Sequence, residues 1–213
     1  MWRALGLAVV LGAAPGMARA HPHVFIDGGV NFVFDGESRL TELRITWIYD
    51  PLTSLFMLED LGIDPAATAP LGTSDRAGLA AYQTEWDDGF AGDSYLWDGA
   101  RRIGLSGPNA PEAELIDGKV AIRFSRRLET PVRPGAETVV KVYDPTYFTA
   151  YAITETPRLE GAAAGCHAVV QRFEPSGPLQ ALQQSLARLP VDATPETEDV
   201  GALFADQVFI ACD

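Results

Sequence analysis

Two histidines, His21 and His23, flank a proline in the stretch "ARAHPHVF", and imidazole is a ligand that copper, nickel and zinc bind well. The chemistry open to this pair depends on where the mature chain begins. The pattern Ala-Arg-Ala at residues 18–20 is typical of a signal-peptide cleavage site. Cleavage after it would make His21 the first residue, so that its α-amine and its Nδ1 could chelate one ion while His23 adds a second imidazole. This is the ligand set of a histidine brace.

Residues 1–20 have the features of a secretory signal peptide. Arg3 lies in a short N-terminal region, and an apolar run from Ala4 to Ala14 follows it. That run is shorter than the roughly 20 residues that a bilayer requires, and no later stretch comes close. We therefore expect a signal peptide over 1–20, a single exported domain over 21–213, a periplasmic location and no membrane-spanning segment after processing.

Pro22 restricts how the N-terminus could bind a metal. A competing mode uses deprotonated backbone amides ahead of a third-position histidine, and proline has no N–H to lose. The remaining mode uses the amine and the imidazoles. An alternative without metal also stands: "HPHV" could simply begin an edge strand, where a proline is tolerated at the first position.

Further ligands would have to come from elsewhere in the chain, and Asp50 and Asp144 are the preferred candidates. Each follows a tyrosine and precedes a proline, in "WIYDPLTSLF" and "KVYDPTYFTA", where a strand ends. Strand ends at one edge of the sheet would bring both carboxylates beside the N-terminus. The alternative is that each aspartate caps the turn or helix that follows it.

Asp27 and His167 are weaker candidates. Asp27 lies four residues after His23, which places it about 13 Å away along a strand at roughly 3.3 Å per residue. Joint coordination by these two side chains is therefore not expected. His167 follows Cys166, and a strand residue beside a disulfide describes it better than a metal ligand does.

Cys166 and Cys212 are the two cysteines of the chain, and both lie in the expected mature region. In an oxidising compartment an isolated pair favours a disulfide. The alternative is a cysteine-based metal or redox site, although no C-x-x-C motif accompanies the pair.

The charge of the chain argues against several kinds of partner. The formal net charge is −13, and residues 1–20 contain two arginines and no acid, so the processed protein is more negative still. Such a field repels nucleic acid and anionic lipid and attracts cations. The sequence also lacks G-x-S-x-G, H-E-x-x-H, Walker and G-x-G-x-x-G motifs, so the common hydrolase and nucleotide sites are not predicted.

Strand and helix patterns occur in blocks along the chain. Apolar or alternating runs predict strands, among them "HVFIDGGVNFVF", "LTELRITWIY", "AELIDGKVAIRFSRRLE" and "QVFIAC". Gly36 is expected to supply a positive φ in the first hairpin turn, and Asp117-Gly118 to form a two-residue turn. Helical periodicity occurs in "DPLTSLFMLEDLG", "SDRAGLAAYQTEW" and "GPLQALQQSLARLP". We therefore predict an α+β domain, an antiparallel sheet or sandwich with a helical pair inserted over 51–89 and helices near the C-terminus.

Capping residues indicate where the two inserted helices begin and end. Asp50 is expected to N-cap the first helix, with Gly62 just after its end. Thr73 or Ser74 is expected to cap the second.

Several of these motifs together resemble one family of exported bacterial proteins. "AHPHVFID", "TWIYDPLTSLFMLEDLG", "KVYDPTYFTAY", "EGAAAGC" and "DVGALFADQVFIAC" occur in the same order as in domain of unknown function 1007, over nearly the whole mature chain. Members are often described as the periplasmic component of an uncharacterised ABC-type transport system, and are found beside or joined to nickel/cobalt permeases. The resemblance implies a periplasmic partner of a transition-metal permease. Many relatives carry a calcium-loop-like segment that is reduced here to Asp64 and Asp75, so no calcium site is expected.

The resulting hypothesis is a binding protein and not an enzyme. We expect it to hold nickel, cobalt or zinc through His21, His23 and a carboxylate of Asp144 or Asp50, for delivery to an inner-membrane permease. Binding should weaken as the pH falls through about 6.5, where imidazole protonates. Two alternatives remain open: a copper-dependent oxidative enzyme that uses the same brace, and a metal-free interaction module.

Overall fold

The computed structural model describes residues 21–66, 70–190 and 193–213, and the predicted signal peptide lies outside them. The strands of these residues are β1 (Val24–Phe34), β2 (Leu40–Tyr49), β3 (Ser94–Asp98), β4 (Arg101–Ile103), β5 (Asn109–Ile116), β6 (Lys119–Val132), β7 (Thr138–Val142), β8 (Thr149–Ile153), β9 (Leu159–Gly161), β10 (Cys166–Gln171) and β11 (Asp206–Cys212). The helices are α1 (Pro51–Asp60), α2 (Thr73–Thr84), α3 (Gly177–Leu186) and a 3₁₀ helix (Val200–Phe204).

The strands form two sheets. One has the order β5-β6-β2-β1-β8, with β9 also pairing with β1, and the other has the order β10-β11-β7-β3-β4. β1 runs parallel to β8 and β9, whereas its pairing with β2 is antiparallel. The predicted α+β sandwich is confirmed, and the parallel pairing of β1 is a feature that the sequence did not indicate.

The core lies between the sheets because alternate residues of their strands point inward. In β2 the buried side chains include Leu43, Ile45 and Trp47, at the two-residue spacing of a strand with one buried face. Val140 of β7 and Val208 of β11 belong to the same apolar cluster and are fully buried.

The inserted helices pack on the first sheet, α1 on β6 and α2 on β5 and β6. Asp50 caps α1 as predicted, and Gly62 follows its end with a φ of 68°. The predicted cap of α2 is wrong: its N-cap residue is Gly72, and no side chain caps that end.

The two predicted turns had different outcomes. Asp117 and Gly118 both have positive φ and connect β5 to β6, as expected. In the first hairpin the positive φ is at Ser38, not at Gly36. The Asp35 carboxylate explains the difference, since it accepts hydrogen bonds from the backbone N–H of Glu37 and of Arg39 and so organises the turn itself.

A disulfide joins Cys166 of β10 to Cys212 of β11, and the two residues are direct cross-strand partners. The predicted pairing is therefore confirmed, and neither cysteine is left as a metal ligand. In the part of the chain that the structure covers, helices of the length and apolarity needed to cross a bilayer are absent.

Candidate metal site and the adjoining acidic cavity

His21 and His23 lie together immediately before β1. Their ring centroids are 5.2 Å apart, and the rings meet edge to face. Phe148, in the turn between β7 and β8, contacts both: it stacks on His23 at 4.7 Å and meets His21 at 6.1 Å. The backbone N–H of His23 also donates to the carbonyl of Phe148 at 2.8 Å. The histidine pair is thus held against the body of the domain.

The Nε2 atom of His23 is buried and has no hydrogen-bond partner among residues 21–66, 70–190 and 193–213. A buried polar atom without a partner costs free energy, on the order of 1–3 kcal/mol, unless something binds it. This nitrogen is chemically suited to donate its lone pair to a metal ion.

Asp50 and Asp144 flank the beginning of β1 on opposite sides. The Asp50 carboxylate accepts a hydrogen bond from the backbone N–H of Phe25 at 3.1 Å. The Asp144 carboxylate accepts one from Thr149 at 2.9 Å, and Thr149 is the parallel partner of Val24. The two Tyr-Asp-Pro segments therefore converge at the end of the sheet where the histidines lie.

Asp50 nevertheless acts as a helix cap. Besides the bond from Phe25, its oxygens accept hydrogen bonds from the N–H of Leu52 and from the N–H and Oγ1 of Thr53, at 2.7 to 3.0 Å. Burial raises the pKa of Asp50, but the hydrogen bonds from Thr53, Phe25 and Leu52 outweigh burial and hold the pKa below its usual value.

Asp144 has a similar local role. One of its oxygens accepts hydrogen bonds from the N–H and Oγ1 of Thr146, at 2.8 and 2.9 Å. In the described ranges no three His, Cys, Asp or Glu side chains are grouped so as to hold one metal ion. The roles of Asp50 and Asp144 as ligands stay predictions.

The two weaker candidates lie away from the histidine pair. Asp27 forms an ion pair with Lys119 at 3.7 Å. His167 is exposed on β10, opposite Ala211 in the second sheet.

A cavity of about 500 Å³ adjoins this end of the molecule, and Asp144 is part of its wall. We call it the acidic cavity. Its aromatic lining residues are Trp47, Tyr49, Tyr82, Trp86, Phe90 and Tyr151. Its carboxylates are those of Glu85, Asp87, Asp93 and Asp144. Among the described residues, no lysine, arginine or histidine lines it.

Asp93 is the buried acid of the cavity, with 6% of its surface exposed. The hydroxyl of Tyr151 donates to its carboxylate at 2.8 Å. Burial raises the pKa of Asp93 to about 7; the Tyr151 hydrogen bond lowers it, the charge of Asp144 raises it and Arg126 lowers it.

Arg126 is also buried, and its guanidinium is held by carbonyl oxygens. It donates to Ser106 and Ala91 at 2.8 Å and to Ser94 at 3.1 Å. It lies 5.2 Å from the centre of the Trp86 ring, within the range of a cation–π contact. Burial lowers the pKa of Arg126 to about 10.

A comparison with protein-family models matches residues 6–212 to a family described as "Protein of unknown function (DUF1007)". This chain belongs to the DUF1007 family. No curated protein matched it.

In this DUF1007 protein, sequence reasoning located the histidine pair and both flanking aspartates but missed Asp93. Asp93 comes from the glycine-containing stretch "DDGFAGDSY", which looks like a solvated loop. Only the approach of β8, which brings Tyr151 to it, shows that this carboxylate is buried. Nothing local in the sequence distinguishes it from Asp87 or Asp88.

Proposed function

We propose that this DUF1007 protein is an exported accessory protein that binds nickel, cobalt or zinc at the His21–His23 pair and passes the ion to an inner-membrane permease. The observation that supports the proposal most is the contact between the two imidazole rings, together with the buried, unpartnered Nε2 of His23 in the described structure.

The proposed ligand set combines the N-terminal amine with side chains. After cleavage at Ala20, His21 would supply its amine and one imidazole, and His23 would supply the second imidazole. A carboxylate oxygen of Asp144, or else of Asp50, would complete the set. That oxygen would bind the metal in place of one hydrogen bond that it now accepts.

Phe148 supports the proposal as a positioning residue. Its ring packs on both imidazoles, and its carbonyl accepts the His23 N–H. Contacts that fix ring orientation raise the affinity of a metal site because less conformational freedom is lost on binding.

We propose the permease partner and the periplasmic location because the chain resembles a family of exported proteins. Relatives that lie beside nickel/cobalt permeases favour a transport partner, and the acidic charge of the chain favours the capture of cations.

The test is calorimetric titration of the protein, purified after export, with Ni²⁺, Co²⁺ and Zn²⁺. We expect one ion per chain and a loss of affinity of at least about tenfold in the double variant His21→Ala, His23→Ala. His167→Ala is the matched control, because it removes an exposed histidine far along the chain, and it should bind as the parent does. Equal affinity in all three proteins would refute the proposal.

The copper alternative makes a different prediction at the same site. A copper-loaded oxidative enzyme would consume a reductant and turn over an oxidisable substrate, whereas an accessory binding protein would not. Turnover that disappears in the double histidine variant would favour the enzyme.

A further inference from the structure

A second cavity, of about 350 Å³, shares two aromatic residues with the acidic cavity. Two arginines line it, Arg102 of β4 and Arg126 of β6, and we call it the arginine cavity. A volume of this size lies in the range of small-molecule sites. The larger apolar side chains of its wall are those of Trp86, Phe90, Ile103 and Leu105.

Arg102 and Arg126 differ from the other arginines of their strands, because neither forms an ion pair with a carboxylate among the residues that the structure describes. The other three arginines of β4 and β6 each form one: Arg101 with Asp98, Arg123 with Glu114 and Arg127 with Glu42. In a chain with a formal net charge of −13, two arginines without an acidic partner in one cavity wall are unexpected. The uncompensated positive charge therefore coincides with the cavity.

The protein uses only part of the Arg126 guanidinium, although this residue is only 4% exposed. Its Nε and Nη1 atoms donate to backbone carbonyl oxygens. Its Nη2 makes no hydrogen bond within residues 21–66, 70–190 and 193–213, and it is not fully enclosed by the protein. An N–H group of a buried cation without an acceptor is unfavourable, so an oxygen atom of a bound anion would stabilise it.

The guanidinium of Arg102 is held by an aromatic ring and not by a hydrogen bond. It lies 4.7 Å from the centre of the Tyr95 ring, and its N–H groups make no hydrogen bond with the described residues. Burial lowers the pKa of Arg126 to about 10, and the charge of Arg102 lowers it further. Both arginines are therefore protonated at neutral pH and repel each other. An anion in the cavity would be attracted by both.

One acid, Glu129, also lines the arginine cavity and limits the charge of the anion. Two arginines and one glutamate leave the wall with a formal charge of +1, which a ligand with a single negative charge would balance. A divalent anion would exceed that charge and meet repulsion from Glu129. Guanidinium groups bind carboxylates through parallel hydrogen bonds, and the apolar wall suits an apolar group on the same ligand.

We propose that the arginine cavity binds a small monocarboxylate with an apolar body. The carboxylate accepts hydrogen bonds from Nη2 of Arg126 and from the guanidinium of Arg102, and the apolar body packs on the wall. Neither His21 nor His23 lines this cavity, so the site does not depend on the metal proposal.

The first test is an NMR titration of the purified protein with benzoate in the presence of EDTA, followed at the backbone amides of Gly104 and Leu105, which line the cavity. We expect one benzoate per chain. Benzyl alcohol, which has no charge, acetate, which has no ring, and sulfate, which has two charges, should each bind at least about tenfold more weakly. Equal binding of any of the three, or no shift of these amides at millimolar benzoate, would overturn the proposal.

The second test removes the exposed arginine, because replacing the buried Arg126 would also disturb the fold. Arg102→Gln should weaken benzoate binding by about tenfold or more. Arg101→Gln is the matched control, because Arg101 is also exposed on β4 but does not line the cavity, and it should bind benzoate as the parent does. Full affinity in Arg102→Gln, or an equal loss in Arg101→Gln, would contradict the proposed site.

The third test uses the acid of the wall. Glu129→Gln should bind benzoate several-fold more tightly than the parent, because it removes a negative charge that repels the ligand. The variant His21→Ala, His23→Ala should bind benzoate as the parent does, since neither residue lines the cavity. A loss of benzoate affinity in either variant would show that the site is not the one proposed.

Discussion

His23 is tied to Phe148 twice, by a ring stack at 4.7 Å and by a hydrogen bond of 2.8 Å from its N–H to the Phe148 carbonyl. Phe148 precedes β8, which runs parallel to β1. The orientation of the predicted mature N-terminus therefore depends on a turn more than 120 residues away along the chain.

Replacing Phe148 tests whether this contact positions the metal ligands. Phe148 has 39% of its surface exposed, so Phe148→Ala should cost little stability. It should weaken metal binding about three- to tenfold, since an aromatic pair contributes about 0.5–1.5 kcal/mol. Val169→Ala is the control, because Val169 is exposed on β10 of the second sheet, whereas His21 and His23 precede β1 of the first. Unchanged metal affinity with Phe148→Ala would show that the ring does not position the ligands.

The raised pKa of Asp93 predicts that the folded protein loses stability as the pH rises. Its pKa is about 7 in the folded protein against an ordinary value of 3.8, so between these values the folded state binds more protons than the unfolded state. Its contribution to stability is therefore present at low pH and is lost as the pH rises through about 7.

The variant Asp93→Asn should remove this pH dependence, because the amide does not ionise and its oxygen can still accept the Tyr151 hydrogen bond. We expect it to be more stable than the parent by about 2–4 kcal/mol at pH 8, with the difference shrinking towards pH 4. Urea denaturation at both pH values measures this. A parent protein that gains stability relative to the variant as the pH rises would contradict the assignment.

Two substitutions test whether Asp50 stabilises the protein by capping α1. Asp50→Ala removes the acceptor for the N–H groups of Leu52 and Thr53 and should lower the free energy of unfolding by about 0.5–2 kcal/mol. Asp50→Asn should retain most of that stability, since asparagine is an equally good N-cap. Thermal denaturation compares the two, and equal losses would mean that capping is not what Asp50 provides.

The disulfide should be a major contributor to stability. It closes a loop with a sequence separation of 46 residues, for which the chain-entropy model gives about 4 kcal/mol. The variant Cys166→Ser, Cys212→Ser should unfold at correspondingly lower urea concentration, and a reductant should destabilise the parent but not the variant. A parent protein insensitive to reductant would show that the bond contributes little.

The features predicted correctly from sequence rest on local or pairwise rules. Asp50 caps a helix because its side chain reaches N–H groups two and three residues later, and that preference can be read from neighbouring residues. The disulfide followed from there being two cysteines. The two β hairpins followed from turn residues and alternation.

What could not be predicted depends on contacts between distant segments. The parallel pairing of β1 with β8 has no local signature, yet it places Phe148 on the histidines and brings Tyr151 to Asp93. The wrong prediction at Gly36 has a local cause instead, because the neighbouring Asp35 carboxylate organises the turn and the positive φ falls at Ser38.

The most direct test of the metal proposal is whether binding requires His21 at a free N-terminus. Ni²⁺ affinity should be measured for the protein beginning at His21 and for the same protein with one glycine added before it. We predict one ion per chain in the first protein and at least about tenfold weaker binding in the second, because the added residue removes the amine from the chelate. Identical affinity in the two proteins would contradict a site built on the mature N-terminus.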